Sequence, residues 1–157
     1  MTKLAEVEEA KALMTEAMQW SVMKWLTNKK KVRRAADKAN EILWAKQKEI
    51  KSCWSDELKL VYAELAGHGN NPGAKPAADH QQPSASDPEV RLLAKRIREA
   101  DEAAHRAHVD AEETFEKAEK ILSTAMSREG CRKAIHSWEL YEKAILKAEA
   151  GIRVSSS

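Results

Sequence analysis

Histidines, cysteines and carboxylates are the groups with which this chain could do chemistry, and their spacing limits which chemistry that is. The best-organised set lies in "DEAAHRAHVDAEE", where Asp101, His105, His108 and Glu112 follow one another at intervals of four, three and four. On a helix those intervals share one face, and imidazole beside carboxylate is a ligand set for a divalent ion. The same segment contains Glu102-x-x-His105, the spacing used in di-iron helical bundles. Such a centre also needs a second histidine and carboxylates from other helices. Residues 1–66 contain no histidine, so the full pattern is excluded. A solvated or salt-bridged face is the plainer reading, and no metal or cofactor is expected.

Cys53 and Cys131 stand far apart, with no CxxC pair and no zinc spacing. That favours a reducing compartment. If a helix started at Ser127, Cys131 would lie in its first turn among Arg128, Arg132 and Lys133, where positive charge lowers a thiol's pKa. His136 is five residues on and points away, so no base is placed for it; a buried, inert thiol is expected. Nor is there a glycine-rich phosphate loop or a Ser-His-Asp grouping. Catalysis is not expected.

The remaining candidate is "KWLTNKKKVRRAADK". Residues 27–48 carry eight Lys/Arg against two Asp/Glu, and "KKKVRR" resembles a short nuclear-import signal. The most acidic stretch, with Asp110, Glu112, Glu113, Glu116 and Glu119, lies far along the chain. If the chain folds back on itself, these acids come opposite residues 35–44. Arg33 to Lys38 then face acids of a returning helix, while Lys29, Lys30 and Lys31 stay free, with Arg132 and Lys133 nearby.

The elements that would position these groups are helices. The chain has 157 residues, 33% of them charged, a mean hydropathy of −0.63 and a formal charge of +2. No stretch reaches the roughly 20 apolar residues of a membrane span, and the acidic "MTKLAEVEEAKALM" does not read as a secretory signal. A cytoplasmic protein without a membrane span is expected.

All four prolines and three of the five glycines fall within "GHGNNPGAKPAADHQQPSASDP", which reads as a flexible linker over 67–87. Two helical arms flank it, over 3–66 and 88–150, followed by a disordered tail at 151–157. In the first arm Val32, Leu43, Trp54 and Leu65 recur every eleven residues, with Ala39, Ile50 and Val61 beside them. In the second, Ile97, Ala104, Ala111, Ala118 and Ala125 form a row of mostly small residues, which permits close helix approach.

The predicted fold class is all-α. The favoured architecture is an antiparallel helical hairpin or coiled coil of two long arms, each kinked near 27–29 and 127–130. Thr27, Asn28 or Ser127 would cap at those weak points. The alternative is a compact four-helix bundle broken there.

A thin hairpin would leave Trp20, Trp25 and Trp138 clustered near its free end with Met14, Met18, Met23 and Ile135. Part of that cluster, with Lys29–Lys31, Arg132 and Lys133, is the expected partner-binding surface. The function read from the sequence is therefore a non-enzymatic scaffold that binds a protein partner or another copy of itself. The alternatives are nucleic-acid or acidic-surface binding through residues 29–34, and a metal-binding bundle.

Overall fold

The computed structural model describes residues 4–70 and 87–156, and among them the chain is all-α. Five helices follow in order: α1 (Ala5–Ala17), α2 (Val22–Ser52), α3 (Asp56–Asn70), α4 (Pro88–Ile121) and α5 (Thr124–Ser156). Most of the expected linker, residues 71–86, lies outside the described residues.

Serine and aspartate side chains start four of these helices. The Ser21 hydroxyl accepts from the Lys24 amide at 3.2 Å, Ser55 from Leu58 at 3.2 Å, and Ser123 from Met126 at 3.2 Å. Asp87 accepts from the Glu89 amide at 2.9 Å, with Pro88 at the first helical position. Each cap satisfies an amide that the helix itself leaves without a partner.

The kinks expected near 27–29 and 127–130 are not there; α2 and α5 run through both. The residues named as caps do something else. The Thr27 hydroxyl donates to the Met23 carbonyl at 2.9 Å, Asn28 Nδ2 to Lys24 at 2.9 Å, and the Ser127 hydroxyl to Ser123 at 3.0 Å. These are bonds back to the preceding turn, compatible with an unbroken helix. The breaks fall instead at 18–21, 53–55 and 122–123. Leu122 ends α4 in the left-handed conformation, φ 48° and ψ 51°.

The expected fold-back is present between α2–α3 and α4, whose antiparallel course is marked by Lys51–Asp101 at 2.6 Å and Arg91–Glu64 at 3.6 Å. The turns at 18–21 and 122–123 add two returns. α1 lies back along α2, where Glu6 meets Lys38 at 2.7 Å, and touches α5, where Lys11 meets Glu142 at 2.6 Å. α5 returns along α4 in the most extensive helix contact among the described residues. The second arm is thus itself a helical pair, and the helices close into a bundle.

Burial follows from that topology. α5 runs alongside α2, where Trp138 Nε1 donates to Asn40 Oδ1 at 2.9 Å in the interior. Further along, Trp54 Nε1 donates to the Ala148 carbonyl at 2.9 Å. A Cβ on Gly151 would lie 2.7 Å from Trp54 Nε1 and 2.8 Å from Leu58 Cδ2. Glycine there lets α5 pass beneath the α2–α3 junction. The disordered tail expected from 151 gives way to helix that continues to Ser156.

Gly130 works in the same way against α4. A Cβ there would lie 2.8 Å from Phe115 Cδ1. Phe115 cannot move aside, because it is buried and stacked on Trp25, centroids 5.9 Å apart and planes within 7°. Alanine at an open helical position gains about 1 kcal/mol over glycine. At Gly130 we expect Gly130→Ala to lose about 1–3 kcal/mol through overpacking. A lower midpoint of thermal unfolding checks this; a raised midpoint would show that the ring yields.

Candidate interaction surface

The residues expected to carry chemistry lie along α4 and are engaged mostly with other helices. Asp101 turns towards α2 and α3: Lys51 Nζ reaches its Oδ2 at 2.6 Å, Gln47 Nε2 its Oδ1 at 2.9 Å, and the Tyr62 hydroxyl also donates to it. Lys51 Nζ lies 3.1 Å from the Tyr62 oxygen as well. Burial, and then the Asp101 carboxylate, push the Tyr62 phenol above its ordinary range. Glu112 is held by Arg33 at 3.1 Å.

His105 is exposed and His108 half-buried, with ring centroids 6.4 Å apart. Burial holds His108 below the usual histidine value, partly offset by Glu112 and Asp37. His108 also meets the edge of Trp44 at 5.3 Å. Asp101, His108 and Glu112 therefore point to different partners, while His105 lies beside the His108 ring. No group of three or more His, Cys, Asp or Glu among the described residues is arranged to hold a metal ion.

Cys131 lies well inside α5, which begins at Thr124, so it is not in a first turn. Its side chain is fully buried, and burial pushes the thiol up to about 12. Cys53 is exposed at the end of α2. A thiolate reagent at pH 8 should therefore label one cysteine in the native protein and two after denaturation. Two labels without denaturant would contradict the buried placement.

The three expected docking tryptophans are interior. Trp20, Trp25 and Trp138 keep 6%, 5% and 1% of their surface. The returns of α1 and α5 cover them, and Trp20 and Trp25 pack with ring centroids 6.4 Å apart. Of the surrounding set Met14 is buried, Met18 and Ile135 are partly buried, and Met23 is exposed.

The basic residues divide. Arg33 pairs with Glu112 and lies 5.9 Å over the Phe115 ring. Lys38 pairs with Glu6 on α1, not with the returning helix. Lys133 bridges to Asp110 at 3.0 Å and Thr114 at 3.1 Å, and Arg132 pairs with Glu129 one turn away. Lys29 is half-buried; Lys30, Lys31 and Arg34 are exposed.

Lys31 instead belongs to a feature that only the return of α1 creates. Between α1 and α2 runs an open groove of about 460 Å³. Ala10, Leu13 and Ala35 lie at its bottom and exposed Ala12 at its rim; Glu6, Glu9 and Glu16 line the α1 side, Lys31 and Lys38 the α2 side. The spacing explains the walls. Positions 6, 9, 13 and 16 share a stripe of α1, and 31, 35 and 38 share a stripe of α2. The Glu6–Lys38 pair bridges the groove at one end. Glu9 and Lys31 enter no ion pair among the described residues.

No family model, no curated protein and no solved structure matches this chain. No helix among the described residues is long and apolar enough to cross a membrane.

Asp101 holds three helices together, and its loss would leave Lys51 half-buried without its carboxylate. We expect Asp101→Ala to cost about 2–3 kcal/mol in chemical denaturation. A change below about 0.5 kcal/mol would mean that the network contributes little.

Proposed function

We propose that the protein is a non-catalytic helical interaction module that receives a partner helix in the α1–α2 groove. The observation that carries this reading is the groove itself: an open trench with an apolar bottom of alanines and Leu13 between one acidic and one basic row. Grooves between helices accept an amphipathic helix through anchors repeating every three or four residues. The alanine floor favours close approach, and the charged walls set orientation and partner choice more than affinity.

The two signs also weigh against the nucleic-acid reading of residues 29–34. A polyanion drawn to Lys31 and Lys38 would meet Glu6, Glu9 and Glu16 along the same trench. A protein helix with charges of both signs can satisfy both walls.

Photo-crosslinking in cells tests the proposal. A benzophenone side chain at Ala12 or Lys31 should give discrete protein adducts, while the same group at exposed Lys147 should not. Adding Glu9→Lys to the Ala12 variant should reduce its adducts severalfold. Equal labelling from Lys147, or adducts insensitive to Glu9→Lys, would remove the groove as the binding surface. Adducts with nucleic acid at Lys31 would favour the other reading.

A further inference from the structure

From the charge layout of the groove we infer its occupant: the groove face binds a second copy of this chain, α1 of each copy against α2 of the other. This inference rests on the groove reading above and names its partner.

The geometry behind it is two-fold symmetry. α1 and α2 run antiparallel and present opposite signs on one face. Place an identical copy face to face, with the two-fold axis parallel to the helices. The axis exchanges left and right but keeps height and direction, so the acidic α1 meets the basic α2 of the other copy. The same operation makes the reciprocal contact, as an isologous interface requires. A two-fold axis across the helices would set α1 against α1 and acid against acid, so the charges select one arrangement.

The Glu6–Lys38 pair brings these two residues to within about a turn of the same height. Leu13 then lies within about a turn of Lys31, and Glu9 within about a turn of Ala35. Across the two-fold axis Lys31 of one copy falls between Glu9 and Glu16 of the other, within about one turn, or about 5.4 Å, of each. Glu9 and Lys31, which form no ion pair within one chain's described residues, become paired in this arrangement. The alanine floors permit close approach, and the two Leu13 side chains lie at the same height near the axis.

The contact is short. α1 has 13 residues, about 20 Å of helix, so the interface lies below the standard size for stable complexes. Association is therefore weak, and salt screens it.

Sedimentation of the full chain between about 10 μM and 1 mM, at low and high salt, tests the inference. A monomer–dimer equilibrium that weakens in salt is expected. Lys31→Glu alone and Glu9→Lys alone should each weaken it about tenfold, since each reversal acts twice in the dimer. Neither residue is a partner in an ion pair of the fold, although Glu9 also acts on Lys38 beside the Glu6–Lys38 pair, so circular dichroism verifies the helix of each variant. Mixing the two variants should restore association, because the mixed pair regains opposite charges in both halves.

A chain that stays monomeric at 1 mM in low salt, or a dimer indifferent to both substitutions, would overturn the inference. If it fails while the groove still crosslinks to a different protein, only the identity of the occupant falls. If both experiments fail, the groove reading falls with it.

Discussion

The separation of α4 from α5 is the constraint on which the rest of the bundle depends. Small residues set it. Ala104, Ala111 and Ala118 on α4 and Ala134, Ala144 and Ala148 on α5 are all buried, and Gly130 faces the Phe115 ring where a methyl group would not fit. Close backbones leave little side-chain volume between these two helices, so the volume is found elsewhere. It lies towards α2, where Trp25 stacks on Phe115, Trp138 reaches Asn40, and Trp54 reaches the Ala148 carbonyl. The bundle is thus uneven, with one tight seam and a wider gap filled by large rings. Interiors pack at near-crystalline density, so a shift of that seam would be felt in each ring of the gap.

Polar contacts then fix which residue of α2 meets which residue of its neighbours. A seam of alanines is permissive, because one alanine resembles the next a turn away. The buried Trp138–Asn40 bond and the Asp101 cluster with Gln47, Lys51 and Tyr62 are not. Sliding α2 by one turn would strand Asn40 and Lys51 in half-dry surroundings. Such groups add little net stability when paired and cost several kcal/mol when left alone. Their contribution is to register rather than to strength.

Much of this architecture was legible in the chain, and the part that was not has a common cause. The all-α class, the fold-back of α2 on α4, an acidic partner for Arg33 on the returning helix and the close approach along Ala104, Ala111 and Ala118 follow from periodicity and charge, though Glu112 meets Arg33 rather than residues 35–44 and Ala125 is exposed on α5. The breaks did not, because one residue type plays two roles. Ser21, Ser55 and Ser123 cap new helices, whereas Thr27, Asn28 and Ser127, equally good caps on paper, bond back within continuous ones. What separates the two sets is tertiary. Reversing at Ser21 buries both Trp20 and Trp25, and reversing at Ser123 brings Gly130 onto Phe115. Leu122, a branched residue in a left-handed conformation with no glycine in sight, shows that packing overrode local preference there. A two-helix hairpin has no room to bury Trp20, Trp25 and Trp138, so the pattern of the chain points them to a surface. Once α1 and α5 return, it does.

The groove inherits its character from the same turn at Ser21. In a straight first arm the acids of residues 6–16 would lie far along the helix from the lysines of residues 24–38, and each set would face its own solvent. Folding α1 back sets the two rows a groove's width apart and takes Lys38 into a pair with Glu6. What looks in sequence like a basic tag is therefore divided by the fold. Arg33 and Lys38 spend their charge on joining helices, while Lys31 is left on a face that already carries the opposite sign. A face of that kind has little long-range pull on a polyanion, because the two rows cancel beyond roughly a Debye length of 8–10 Å. At contact distance they no longer cancel, and only a surface with the reverse arrangement of signs fits. The turn that hides the tryptophans is thus also the turn that sets opposite charges side by side on one exposed face.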